Sequence, residues 1–232
     1  MTVTYIMNII DRFGITPKVT AGNRQSAGHP IRQTIITDNG STDMRIKRWA
    51  LTFANKFIDN GENIGNAQAL NNAMKVAIGD IIVIAGNDIK LPRPWLSEAI
   101  KIIRENPKVG LVGFNWRGNA SKTKEKHGNL NEQVGNVFGT WVMSRKVYDK
   151  VGPFNEFSKY GLWDSAYNHR CEKAGFINGY VNGVDSEYIG NDVGESSEYR
   201  KMKDREMAKA KKAYSEFMGT KPKKRRKRTT KK

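Results

Sequence analysis

Short apolar runs alternate with segments of helical period along this chain, and that alternation limits its fold more than any other feature. The clearest unit lies in residues 66–85. Ala67, Leu70, Ala73, Met74, Ala77 and Ile78 share one helical face over 66–78, Gly79 stops the helix, and residues 80–85 (DIIVIA) follow as an apolar strand that ends at Gly86-Asn87-Asp88. Upstream, residues 34–37 (TIIT) read as a short buried strand, and Asp38-Asn39-Gly40-Ser41-Thr42-Asp43 after them is turn chemistry. Downstream, the spacing predicts a helix over 94–105 with Pro94 in its first turn, strands over 109–114 and 137–143, a helix over 163–174 ended by Gly175, and a strand over 176–181. Such repetition predicts an α/β fold, a mostly parallel sheet flanked by helices. Residues 115–135 are polar and rich in Gly and Asn, which predicts a long loop, either a functional lid or a disordered segment.

With 232 residues, 38% of them hydrophobic, the chain can bury one sizeable core. No stretch approaches the roughly 18 apolar residues of a membrane span. The apolar residues 3–10 lack a basic flank and a small-residue cleavage site, so a cytoplasmic protein is expected. Cys171 is the single cysteine, which excludes an intramolecular disulfide and a cysteine-built zinc site and reads as a structural thiol.

The formal charge of +17 is gathered at one end: residues 200–232 hold 16 basic and 3 acidic residues, a net of +13, which leaves +4 for residues 1–199. Three units are therefore expected: a near-neutral catalytic body over 1–199, a charged helix over 200–220, and a disordered basic tail over 221–232 (KPKKRRKRTTKK). Residues 200–232 suit a polyanion. DNA leads, because release of condensed counterions rewards such a run, and an anionic membrane surface would attract it by the same Coulomb force. A solubilising or targeting tail without a catalytic part is the plainer alternative.

Asp38 and Asp88 sit where the chain leaves apolar strands, and Asp164 where it enters a helix. In open α/β sheets ligands bind outside the carboxyl ends of the strands, so Asp38 and Asp88 should share one crevice. Each alone also reads as a turn residue or helix cap.

Their order and spacing resemble the large family-two glycosyltransferases of GT-A fold. Asp38-Asn39-Gly40-Ser41-Thr42-Asp43 is similar to that family's D-[DN]-G-S-x-D turn; Asn63-Ile64-Gly65-Asn66-Ala67 with Ala69, Asn71 and Ala73 to its N-x-G-x-A block; and Gly79-Asp80, the strand and Asn87-Asp88 to its G-D-strand-N-x-D block. Phe138 to Arg145, Val151 to Glu156, and Trp163-Asp164 with Arg170 and Gly175 resemble its acceptor-side segment. The resemblance implies a nucleotide-sugar donor and a divalent Mn²⁺ or Mg²⁺. Asp38 and Asn39 would meet the nucleobase and Asp43 would brace the ribose turn, with Asn63, Gly65, Asn66 and Asn87 on the donor side. Asp88 would hold the metal, Asp164 would act as general base, and Trp141, Trp163 and Trp116 would offer ring faces.

The chain departs from the family pattern in three places. The D-x-D is Gly86-Asn87-Asp88, Trp163 stands where an acid precedes the base, and Asn155 replaces an Asp. The family's late metal-binding His is missing, and Asn191 or Asp192 would stand in for it. His29, His127 and His169 fall outside metal-ligand spacing and read as surface residues. Three functions stay open: an inverting transferase acting on a hydroxylated base in DNA, as in bacteriophages; one acting on a surface polysaccharide, lipid carrier or protein; and a catalytically silent nucleotide- or nucleic-acid-binding protein.

Overall fold

Residues Val3–Ile9 form strand β1, buried on both faces apart from Asn8, because parallel strands flank it and helices cover it. This is a computed structural model, and it describes residues 1–115, 123–133, 135–190 and 197–220. β1 pairs in parallel with β2 (Gln33–Asp38) and with β4 (Ile81–Ala85), and β2 pairs in parallel with β3 (Lys56–Asp59). Helices α1 (Thr16–Ser26), α2 (Met44–Phe53) and α3 (Asn66–Met74) make the crossovers between them. All four carboxyl ends therefore reach the same edge, and that edge carries the site.

Beyond β4 the sheet becomes mixed. After β5 (Ile89–Lys90) and α4 (Trp95–Glu105), β6 (Val109–Asn115) enters the sheet, and the hairpin β7 (Thr123–His127) and β8 (Leu130–Gln133) follows. β9 (Trp141–Ser144) lies antiparallel between β4 and β6, so the sheet is not parallel throughout. After α5 (Arg145–Val151) and α6 (Trp163–Lys173), β10 (Ile177–Asp185) pairs in parallel with β6 and antiparallel with β8. The nine strands run β3-β2-β1-β4-β9-β6-β10-β8-β7, and β11 (Glu187–Tyr188) pairs with β5 alone. Helix α7 (Ser197–Phe217) closes the described chain.

Two hydrophobic clusters hold the layers together. One contains Tyr5, Met7, Ile36, Leu96 and Trp95, whose ring meets Phe114 edge-on at 5.5 Å and whose indole N–H donates to the Asn23 carbonyl at 2.8 Å. The other joins Ile35, Leu70, Ile82, Trp141, Phe154 and Tyr167. Each such side chain contributes about 1.5–3 kcal/mol by leaving water. Cys171 is fully buried here, and burial pushes its thiol up to about 12, which keeps it inert as the structural thiol expected.

The structure corrects several local expectations. Part of the loop expected over 115–135 is the hairpin β7–β8, while residues 116–122, with Trp116, and residue 134 lie outside the described residues. The helix expected over 66–78 ends at Met74, because tertiary partners take over its last backbone groups: Gln33 bonds the Val76 carbonyl at 3.0 Å and the Ile78 N–H at 3.0 Å, and Arg145 donates to the Ala77 carbonyl at 2.8 Å. β9 starts at Trp141 rather than 137, after the left-handed Gly139 (φ 78°). The tail, 221–232, lies outside the described residues.

Candidate functional site at the carboxyl edge of the sheet

Just past β1, after Ile10, come two consecutive non-glycine residues of left-handed backbone, Asp11 (φ 49°) and Arg12 (φ 64°). That conformation costs roughly 1–2 kcal/mol per residue, so something must hold it. The Asp11 carboxylate accepts from the N–H of Thr42 at 2.8 Å and of Asp43 at 2.9 Å, and the Asp11 N–H donates to Ser41 Oγ at 2.8 Å. The end of β1 is thereby tied to the turn after β2. Arg12 is left pointing at the end of β4, where its Nη1 stands 2.7 Å from Asp88 Oδ2.

Asp88 is closed in on several sides, and its side chain keeps 17% exposure. Its carbonyl accepts from the Ile189 N–H at 3.0 Å, which places Gly190, just past β11, beside its carboxylate. The Gly190 carbonyl takes bonds from Arg12 Nη2 at 3.4 Å and from the Tyr188 hydroxyl at 3.0 Å. Burial raises the Asp88 carboxyl above its ordinary value, against the pull of Arg12 and of Lys203 on α7. Neighbouring Asn87 is partly buried, and the Gly86 N–H is anchored to Thr140 Oγ1 at 3.1 Å.

The turn after β2 is held from within. Asp38 is fully buried; its carboxylate accepts from the Ser41 hydroxyl and the Ser41 N–H and pairs with Lys47 at 3.2 Å, and Lys47 also reaches Asp59 at 3.1 Å. Asn39 accepts from Asn60 Nδ2 at 2.9 Å. Asp43 caps α2 by accepting from the Arg45 N–H at 2.9 Å and pairs with the Arg45 guanidinium. At the start of α3, Asn63 accepts from the Gly65 N–H at 3.0 Å, and the Asn66 carbonyl accepts from Asn8 at 3.0 Å. Asp38, Asn39, Asp43, Asn87 and Asp88 thus end on one edge of the sheet. Asn63, Gly65 and Asn66 flank it at the start of α3.

Asp164 stands in the first turn of α6, just after left-handed Leu162 (φ 59°), and its carboxylate accepts from the Ser165 N–H at 2.8 Å. Burial raises its carboxyl. The loop before it is clamped from two sides. A Cβ on Gly65 would lie 2.8 Å from Lys159 Cα, and one on Gly161 would lie 2.6 Å from Met207 Cε of α7. Glu206 of α7, 3% exposed, accepts from the Lys159 N–H at 3.2 Å, and Lys203 stands over the Tyr160 ring at 5.1 Å. Arg170 and Asn71 serve the same segment: Arg170 bonds the carbonyls of Val151 and Pro153, and Asn71 bonds the Phe154 carbonyl at 3.0 Å.

Of the three tryptophans expected to offer ring faces, Trp116 lies outside the described residues and the other two differ. Trp141 is 3% exposed and sits among Phe154, Trp163 and Tyr167, so it packs the core and has no free face for a ligand. Trp163 is only partly buried. Among the described residues, Glu125, His127 and Glu132 have ligand atoms within 4.8 Å of one another, a grouping made by the hairpin that sequence spacing did not show. Lys124 already pairs with Glu132 there at 2.6 Å. Asn191 and Asp192 lie outside the described residues.

Arg12, Asp11, Lys47, Gly190 and Lys203 were not singled out in the sequence. An Asp-Arg pair directly after an apolar strand is the one signal that could have marked the first two.

Residues 19–164 match the family described as Glycosyl transferase family 2. No curated protein matches the chain in sequence. Similar solved structures include the mannosyltransferase PcManGT from Pyrobaculum calidifontis in complex with GDP-Man and Mn²⁺, 21% identical with a TM-score of 0.68, covering 92% of this chain and 64% of that one. GalNAc-T7 with UDP, GalNAc and Mn²⁺ is 11% identical with a TM-score of 0.66, over 82% of this chain and 44% of that one. Glucosyl-3-phosphoglycerate synthase from Mycobacterium tuberculosis, in complex with Mn²⁺, UDP and phosphoglyceric acid, is 13% identical with a TM-score of 0.63, over 96% and 80%. The chain thus spans less than two thirds of the first two. Identities this low establish the GT-A fold and nothing finer. Together with the family match over most of the sheet and its carboxyl-edge turns, they lead to one conclusion: the chain belongs to glycosyl transferase family 2.

Proposed function

We propose that the chain is a metal-dependent glycosyltransferase that moves a sugar from a nucleotide diphosphate donor to an acceptor hydroxyl. One observation carries this reading: a closed-in carboxylate, Asp88, lies at the carboxyl end of a parallel strand and already holds a cationic group, Arg12, at 2.7 Å. The residues suit a hard divalent cation. Mg²⁺ and similar ions are commonly held by one or two carboxylates together with substrate phosphates, and Asp88 with the Asn87 amide provides such a partial set. When bound, the cation neutralises charge that gathers on the departing diphosphate. Asp38, which the resemblance assigns to the nucleobase, is fully buried against Ser41 and Lys47 and is read instead as keeping the turn at residues 38–43 in shape, while Asn39 and Asp43 in that turn would receive base and ribose. Asp164 takes the proton of the attacking acceptor hydroxyl. A carboxylate raised by burial is a better proton acceptor than a free one, and a single base suits inversion at the anomeric carbon.

For the acceptor, a hydroxyl on a polysaccharide, lipid carrier or protein fits the company of the fold, whose solved relatives include enzymes with GDP-Man, GalNAc or phosphoglyceric acid bound. Residues 200–232 then meet anionic surfaces. Among the described residues no helix is long and apolar enough to cross a membrane. A second reading, a hydroxylated base in DNA, is favoured by the nine basic residues among the twelve of 221–232. The deciding experiment incubates the protein with Mn²⁺ and a panel of nucleotide sugars, with glycan, lipid-linked or peptide acceptors or with hydroxymethylated DNA, and follows released nucleotide. Release stimulated by the first set supports the main reading. Release stimulated only by DNA moves the assignment to the second, and no release with any donor overturns both.

A further inference from the structure

Asp164 is presented by a stretch with little structure of its own. Residues 157–162 form neither helix nor strand, and the hydrogen bonds within them are local: Ser158 Oγ donates to the Tyr160 carbonyl at 2.8 Å and accepts from the Tyr160 N–H at 3.2 Å. Their place relative to the sheet is therefore set from outside, and α7 lies along them. Glu206 Oε2 accepts from the Lys159 N–H at 3.2 Å, Met207 fills the space that a Cβ on Gly161 would take, and the Phe157 ring meets Tyr214 at 6.2 Å and Phe217 at 5.7 Å. Glu206 is the costly member of this set. Its side chain is 4% exposed, and a carboxylate so enclosed is stable only when its charge is met. Lys209 at 2.8 Å and Arg205 at 3.4 Å meet it on Oε1, while Oε2 turns to the loop. The Lys209 ammonium foremost, and the other bonds with it, hold the Glu206 carboxyl below its ordinary value, so it is ionised at neutral pH.

We infer that Glu206 is a positioning residue for Asp164: through the Lys159 N–H it fixes residues 157–162, and with them the place at which the first turn of α6 holds its carboxylate. This inference rests on the reading of Asp164 as the general base. Glu206 acts through the backbone of that loop. A bond from a backbone N–H to an ionised carboxylate is roughly twice as strong as one to a neutral acceptor, which suits an irregular segment that must keep one position. Asp164 follows closely, after left-handed Leu162 (φ 59°), so a shift at residues 159–161 is passed along few bonds before it reaches the base. α7 also comes near Asp164 directly. Burial raises the Tyr214 phenol, and the charges of Glu172 and Asp164 add to that rise. The start of α3 backs the loop from the other side, where a Cβ on Gly65 would lie 2.8 Å from Lys159 Cα, so the loop cannot follow α7 freely if α7 lets go.

The experiment compares the full wild-type chain with Glu206→Ala, which removes the acceptor, and Glu206→Gln, which keeps an oxygen for the Lys159 N–H and removes only the charge. Nucleotide release is followed with Mn²⁺ and the donor and acceptor that release it fastest. Titration of the Asp164 carboxyl is followed by carbon NMR, its signal identified by its loss in Asp164→Asn. Glu206→Ala is expected to lower turnover at least about tenfold with donor KM little changed, as a misplaced catalytic group does. Its Asp164 carboxyl should titrate closer to the ordinary 3.8, because water reaches it. The phenols that feel the charge of Asp164, Tyr180 on β10 and Tyr214 on α7, are raised and stay neutral in the acid range, so they do not blur that reading. Glu206→Gln, which loses the same charge, should stay near wild type in both measurements. Wild-type turnover or an unchanged Asp164 titration in Glu206→Ala overturns the proposal, as does an equal loss in Glu206→Gln. If Glu206→Ala does not fold, Phe157→Ala, which trims the ring that packs the loop on Tyr214 and Phe217, takes its place with the same expectation and the same overturning results. The titration needs no donor, so it decides even where no nucleotide is released. In an Asp164→Asn background Glu206→Ala should cost nothing further, and a second loss of the same size overturns the route through Asp164. Wild-type transfer by Asp164→Asn sinks the base reading, whereas a slow Asp164→Asn beside a wild-type Glu206→Ala sinks the role of Glu206 alone.

Discussion

Gly190 stands so close to Asp88 that a Cβ at residue 190 would lie 2.5 Å from Asp88 Oδ2 and 2.9 Å from its Cγ. No side chain fits there without moving the carboxylate. Gly190→Ala is therefore expected to displace Asp88 while leaving the core intact, and a shift on the order of 1 Å at a catalytic group can cost about 10²-fold in rate. Mn²⁺-dependent nucleotide release by the alanine variant, measured beside its melting curve, checks this. Turnover within twofold of wild type would show that the approach of residue 190 does not matter to the site.

Asp164→Asn separates proton transfer from binding and from folding. As the proposed base, Asp164 when lost should reduce transfer by roughly 10²–10⁴-fold with donor affinity little changed. Transfer by wild type should fall as pH drops through the raised Asp164 value, which lies above the ordinary 3.8, and the variant should lack that limb. Stability moves the other way. A carboxyl whose folded value is raised contributes fully below its unfolded value and loses that contribution as pH rises through the folded one, so ionised Asp164 destabilises the fold at neutral pH. The variant should melt higher than wild type at pH 7. A lower melting temperature together with parallel loss of donor binding would make Asp164 a structural cap of α6.

Gly65→Ala tests the clamp on the loop that leads to Asp164. Gly65 has φ 95°, and a Cβ there would press on backbone, 2.8 Å from Lys159 Cα. Backbone cannot yield as a flexible side chain can, so a cost of about 1–3 kcal/mol is expected. Urea unfolding measures it, and a variant as stable as wild type would show that the start of α3 and residue 159 move apart freely.

Much of this site could be read before the structure because its carboxylates follow apolar strands. β4 and β6 are buried runs with plain boundaries, α6 is ended by left-handed Gly175, and parallel pairing then sends Asp38 and Asp88 to one edge. What stayed hidden depended on partners far away in the chain. Arg12 meets Asp88 across 76 positions, through a left-handed backbone that neither Asp11 nor Arg12 advertises. The strand β7 (TKEKH) has no apolar alternation because it is an edge strand, largely exposed, so nothing in its residues separates it from a loop. Trp141 shows the same limit in another form, since a tryptophan on a short strand beside glycine and threonine can face a ligand or the core, and only packing against Phe154 and Tyr167 decides.

The proposed function stands or falls with Asp88 as the ligand of the divalent cation that meets the nucleotide sugar. The most direct measurement titrates Mn²⁺ against nucleotide release from the preferred donor, for wild type and for Asp88→Asn, which preserves the shape of the side chain and removes its charge. Wild type should show saturable activation that chelation reverses. The variant should need a much higher Mn²⁺ concentration and reach a turnover at least about tenfold lower, since positioned cations contribute several kcal/mol to such a step. Wild-type turnover and an unchanged Mn²⁺ requirement in Asp88→Asn would contradict the account.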